Sequence, residues 1–215
     1  ATTANATAGA FATAFDTTSG WQFTTFGNTI VATQFADTTA AFSVPMQWAS
    51  TPTTNFAALS TVTAPVTYDP IARYVTTIKN HLLIGHCALQ AALGPFAAST
   101  VYPELVMISA TDNDAGVDTN LGIHRWGDEQ FVSYEETIGS TYQFLSDNQG
   151  PITGVSGNGD YAYVFKPRAI WRVDGPPWSF HPVVVGAGTI YPNSIVQYYN
   201  DVYFWGPGGP SKLAY

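Results

Sequence analysis

Residues 152–166 read ITGVSGNGDYAYVFK. An apolar-alternating arm from Ile152 meets a cluster of Gly, Asn and Asp, and a second alternating arm runs from Tyr161 to Phe165 and stops at Lys166. Alternation with a period of two, carried by aromatic and β-branched residues, is the pattern of a half-buried strand. Gly159 and Asp160 tolerate the positive φ of a tight turn, so the stretch reads as a β-hairpin.

The same pattern occurs three more times: FTTFGNTIVAT at 23–33, YVTTIKNHLLIGH at 74–86 and SIVQYYNDVYFWG at 194–206. Their turns are expected at Gly27-Asn28, Lys79-Asn80 and Asn200-Asp201. From Gly27 through Lys79 and Gly159 to Asn200 the turns lie 52, 80 and 41 residues apart. A four-stranded propeller blade takes about 40 to 50 residues, so the middle interval reads as one blade plus an insertion.

The expected fold is all-β: a β-propeller-like array of antiparallel hairpins or blades over 21–215, with an N-terminal extension at 1–20 and a loop insertion at about 91–122. Four hairpins give about four blades, the lower limit of closed rings, so the array reads as a small propeller or an incomplete one that another segment completes. Within the insertion, SATDNDAGVDTNLG is polar and turn-rich, and the following IHRWGDEQF offers an outer strand to the same blade. The one stretch of helical composition, near Leu89 to Ala98, is cut by Gly94 and Pro95, so a loop or short turn is expected there.

Composition agrees with this reading. Thirteen Phe, 12 Tyr and 6 Trp are punctuated by 19 Gly and 14 Pro, as many short strands require. Charged residues are only 10% of the 215, against about 25% in an average soluble domain, so neutral Thr, Ser, Asn and Gln must coat the surface. Such a surface suits a protein packed against neighbours. Seven scattered basic residues against fifteen acidic ones give a net charge of −8, which excludes a site that neutralises a run of phosphates.

No run of about 18 apolar residues is present, so no membrane anchor is expected, and one cysteine gives no sign of an oxidising compartment. The chain is expected to be soluble and made in a reducing cytoplasm. ATTANATAGAFATAF lacks the charged and apolar regions of a signal peptide and has no initiator Met, so the natural chain is expected to start upstream. GGPSKLAY stops in mid-pattern, so a chain that continued or was cut there is expected.

Residues able to carry chemistry are few. Asp112, Asp114 and Asp118 lie in DNDAGVD, which has the look of a calcium loop but lacks its terminal bidentate Glu, so a solvated loop is the expectation. His81 and His86 are five apart in a predicted hairpin, while His124 and His181 are isolated, so all four read as hydrogen-bonded or surface histidines. Glu135 and Glu136 are adjacent and point to opposite faces of a strand, a poor acid–base couple. Cys87, in LLIGHCALQ, reads as a buried small hydrophobe.

No GxSxG, HExxH, CxxC or phosphate-cradling glycine loop occurs. No catalytic, cofactor-binding or metal-binding residue is therefore assigned, and no enzyme activity is expected. Trp21, Trp48, Trp126, Trp171, Trp178 and Trp205 fit either a sugar-stacking groove or contacts between blades and subunits.

GPITGVSGNGDYAYVFKPRAIWRVDG and FHPVVVGAGTIYPNSIVQYYNDVYFWGPGG, within 150–209, resemble the tail nozzle and related propeller-bearing virion proteins of tailed bacteriophages. Gly150, Pro151, Ile152, Phe165, Ile170, Arg172, Ser194, Ile195, Val196, Phe204 and Gly206 fit that family's repeated pattern. WQFTTFGNTIVAT, ARYVTTIKNHLLIGH and IHRWGD resemble its preceding blades, leaving the N-terminal tail and the 91–122 insertion outside the likeness. Pro167, Ala169 and Trp205 depart from the pattern, as does the chain's short length.

The resemblance implies a virion structural protein of the tail, in a nozzle or neck ring assembled in the host cytoplasm. Its partners would be other copies of itself and other tail or head-to-tail proteins, around a channel through which DNA passes without specific binding. An acidic wall poor in Lys and Arg repels phosphate and is compatible with that passage. Two rivals stay open at this stage: a receptor- or glycan-binding propeller using its tryptophans and the insertion, and a propeller glycosidase with carboxylates gathered by folding.

Overall fold

The computed structural model describes residues 21–26, 29–33, 46–49, 57–58, 70–89, 96–97, 100–109 and 141–213. Apart from a 3-10 turn at Pro192–Ser194, the regular structure of these residues is β. It forms four antiparallel sheets, each built from strands consecutive in the chain. The first sheet holds β1 (Gln22–Phe26), β2 (Thr29–Thr33), β3 (Met46–Ala49) and β4 (Ala57–Ala58). The second holds β5 (Pro70–Ile78), β6 (His81–Leu89), β7 (Val101–Ile108) and β8 (Thr141–Phe144). β9 (Gly154–Gly157), β10 (Tyr161–Phe165), β11 (Ala169–Asp174) and β12 (Ser179–Val185) make the third, and β13 (Val196–Tyr198), β14 (Asp201–Gly206) and β15 (Gly209–Leu213) the fourth.

All four expected hairpins are present. Phe26 pairs with Thr29 and Ile78 with His81, and Lys79-Asn80 form the two-residue turn of the second hairpin, while Gly27 and Asn28 lie outside the described residues. In the third hairpin Asn158 caps the turn, its Oδ1 accepting from the amides of Asp160 (3.2 Å) and Tyr161 (3.1 Å) while Gly159 takes φ +95°. The fourth turn lies one residue earlier than expected. Tyr198 pairs with Asp201, so Tyr199 and Asn200 form the turn, with Tyr199 at φ 53°. Asp201 is taken into β14, where its carboxylate meets Lys212 on β15 at 2.6 Å.

The insertion expected at 91–122 needs correction, because β7 at 101–108 is the third strand of the second sheet. Pro103 disguised it, since proline cannot donate to a ladder and is confined to edges and bulges. Here the register shifts between Gly85 and Cys87 opposite this part of β7, and Pro103 falls in that irregularity. The Pro103 carbonyl turns to the next sheet and accepts from Ile152 N at 2.8 Å. IHRWGDEQF and the 1–20 extension lie outside the described residues, and β8 holds the fourth place in the second sheet. Phe96, in the expected loop, is buried edge-on to Tyr102 and Tyr142.

The sheets pack face to face, and the core is the set of layers between them. Val31 and Phe26 of the first sheet meet Leu82, Ile84, Leu105 and Met107 of the second. On its other face the second sheet presents Tyr74, Ile78, Leu83, Val106 and Ile108 to Ala162, Val164 and Val173 of the third. The third in turn presents Tyr161, Tyr163 and Phe165 to Val202 and Phe204 of the fourth. Period-two alternation, with both faces apolar, is what lets one strand serve two layers.

First strands lie beside first strands: β1 against β5, β5 against β9, β9 against β13. Ile78 and Gly159 form a parallel bridge, closed by Lys79 N donating to Gly159 O at 2.5 Å. Thr76 Oγ1 accepts from Gly157 N at 2.8 Å, and Thr24 and Thr77 hydroxyls meet at 3.4 Å. Gly157 is required there, because a Cβ would overlap the Thr77 carbonyl oxygen.

Candidate functional site

Of the residues singled out in the sequence, His81, His86, Cys87, Trp171 and Trp178 are engaged within the fold. His81 is buried, its Nδ1 2.7 Å from Ser109 O and its ring edge-on to Trp178. Burial holds its pKa below the ordinary histidine value, against the opposing hydrogen bond to the Ser109 carbonyl and with some help from the charge of Lys79. His86 is buried at the β6 irregularity with φ 58°, Nδ1 3.2 Å from Ile152 O. His181 is exposed, 3.6 Å from Asp174. Cys87 is buried, and burial pushes its thiol pKa well up.

His124, the three aspartates at 112, 114 and 118, Glu135, Glu136 and Trp126 lie outside the described residues. Among the described residues no three His, Cys, Asp or Glu side chains gather to hold a metal, and no helix is long and apolar enough to cross a membrane. The tryptophans are divided: Trp21 stacks on Phe23, Trp48 lies in β3, Trp171 bonds Asp147, Trp178 packs on His81, and Trp205 stands exposed on the fourth sheet.

Hairpin turns of three successive sheets converge on a polar cleft of about 430 Å³. Lys79, Asn158, Asp160 and Asn200 line it with Tyr161, Arg172 and Asp174. Arg172 binds Asp174 through Nε (2.9 Å) and Nη2 (2.7 Å) and lies 4.2 Å over the Tyr161 ring. Its charge is thus engaged within the protein. The cleft offers amides, carboxylates and an ammonium, a set suited to hydrogen-bonding hydroxylated ligands.

A buried ionic cluster joins the second and third sheets, and no local pattern announces it. Lys166, fully buried after β10, reaches across to Glu104 on β7 at 3.0 Å and to Asp147 and the Leu145 carbonyl after β8. Trp171 Nε1 donates to the other oxygen of Asp147 at 2.7 Å. Burial alone would raise the Asp147 pKa. The bonds from Lys166, Trp171 and the Gln149 amide outweigh it and hold the carboxyl below the ordinary aspartate range. Lys166 ends its hairpin as any basic residue would, so only folding reveals its partners.

The last sheet is different in kind. Val196, Tyr198, Tyr203 and Trp205 share one face of β13 and β14 and are all exposed. No protein-family model and no curated protein matches the chain.

Proposed function

We propose that this chain is a virion structural protein of a tailed bacteriophage, part of the tail nozzle or neck, acting as a propeller-like packing module rather than as an enzyme. The observation that carries the reading is the stack of consecutive antiparallel meanders with first strands side by side. That is how the blades of a propeller follow one another. Residues carrying the phage-tail likeness occupy the places on which this stack depends. Ile152, Phe165 and Ile170 are buried, Phe204 packs on Phe165 at 5.3 Å, and Ser194 Oγ accepts from Trp205 N.

Copies of the chain would stand with other tail or head-to-tail proteins around a DNA channel, assembled in the host cytoplasm. The −8 net charge favours passage of DNA over its capture. Electron microscopy of the purified protein, with mass measurement in solution, tests the reading. Closed rings with a central opening are expected; a stable monomer at high concentration would overturn it.

A second reading, a glycan- or receptor-binding module, is favoured by the cleft between the turns of the second, third and fourth sheets. Binding on a glycan array that is lost in Asn158→Ala and Asp160→Ala would replace the architectural reading.

A further inference from the structure

The stack follows one rule at each junction. Second and fourth positions of a sheet's second strand face back: Leu82 and Ile84 into the first layer, Ala162 and Val164 into the next, Val202 and Phe204 into the third. Third and fifth positions face forward. Leu83 enters the layer ahead of the second sheet, and Tyr163 and Phe165 that ahead of the third. Tyr203 and Trp205 occupy those forward positions in the fourth sheet.

Tyr163 and Phe165 are 4% and 0% exposed, whereas Tyr203 and Trp205 are 40% and 51% exposed. The forward face of the fourth sheet thus has the residues of a buried layer, and among the described residues no sheet covers them. Aromatic side chains left open in this way mark an interaction surface.

At the other end, the back face of the first sheet is open at Phe23, although its cross-strand partner Ala32 is buried. Val75 is three residues before the end of β5 and faces back into the first layer; Phe23 has the same place on β1. Phe23 is 60% exposed and stacks with Trp21 at 6.1 Å. Gln22 Nε2 reaches Asn193 Oδ1 at 3.4 Å, so the two ends approach each other, yet Phe23, Tyr203 and Trp205 stay uncovered by that approach.

We propose that the forward face of the fourth sheet in one copy receives the back face of the first sheet in a second copy, repeating between chains the junction made three times within one. Charge does not oppose it: Lys212, on the forward face, is neutralised by Asp201 and lies 5.8 Å from the Tyr203 ring. Such a contact is heterologous and propagates into a ring or a filament. The inference deepens the assembly reading above and rests on it for the assembly's biological setting.

The test uses the full chain as two single variants, Phe23→Cys and Trp205→Cys, with a short bismaleimide crosslinker; Cys87 is buried and does not compete. Mixing the two is expected to give a covalent dimer with one chain of each, and each variant alone to give little. Crosslinking of either variant to itself would overturn the inference, as would bridging confined to single chains of the double variant, or no product from a mixture. Trp205→Glu is expected to weaken self-association at least tenfold by sedimentation with the near-ultraviolet circular dichroism retained, while Val185→Glu on β12 leaves it unchanged.

The two readings fail separately. Filaments with this crosslink but no rings would keep the inference and remove the nozzle assignment. Rings whose copies never bridge these faces would do the opposite.

Discussion

Trp171 Nε1 donates to Asp147 Oδ2 at 2.7 Å, so an indole of the third sheet and a carboxylate after the second hold each other across the junction. The other Asp147 oxygen takes Lys166, whose side chain has no exposure to water. Removing one partner of a buried pair leaves the other charge desolvated, which costs about 3 kcal/mol. Asp147→Ala is therefore expected to lower the chemical-denaturation free energy by about that amount. Trp171→Phe should cost about 1 kcal/mol, the net value of one hydrogen bond. Less than additive losses in the double variant would verify that both act through one carboxylate.

Gly157 offers a sharper steric test. Any side chain there meets the Thr77 carbonyl, backbone of the neighbouring sheet that cannot rotate aside. Gly157→Ala is expected to cost about 2 kcal/mol through the forced shift of β9 from β5. Gly208→Ala, with open space around it, should stay within about 0.5 kcal/mol. Equal thermal midpoints for the two variants would contradict the described packing.

Stability should depend on pH through His81. Its folded pKa is lowered, so below about 6.5 the unfolded chain binds protons that the folded chain does not. The contribution is whole above that pH and declines as pH falls toward the folded value. Urea midpoints between pH 7.5 and 5.5 should therefore fall, and His81→Asn, which can still donate to Ser109 O, should flatten the slope. Asp147 acts in a separate window, below about pH 4, where protonation removes the stability its depressed pKa contributes.

Cys87 is expected to be silent toward a disulfide thiol reagent in the native protein and to react fully in denaturant, because burial raises its pKa and excludes the reagent. Rapid reaction at neutral pH without denaturant would mean that the second sheet opens.

Much of the architecture was legible along the chain because strand and turn are local events. Lys79-Asn80 and the Gly159 turn stand where the alternating arms place them. The fourth turn slipped to Tyr199 because its position is chosen by pairing, with Asp201 drawn into β14 opposite Tyr198 and bonded to Lys212. β7 was hidden for a similar reason. Pro103 argues against a strand until the irregularity at Gly85 and Cys87 gives it a place without a missing ladder bond.

Periodicity, turn chemistry and composition are enough to make the described residues β, to place the turns at Lys79-Asn80 and Gly159, and to leave the chain poor in charge. Packing between sheets is what brings Lys166, Asp147, Glu104 and Trp171 together, gathers the turn residues of three sheets on one cleft, and leaves Tyr203 and Trp205 open where Tyr163 and Phe165 are covered. A strand's alternation says that two faces are apolar. What covers each face is settled by which sheet arrives there, and that is a long-range event no local pattern encodes.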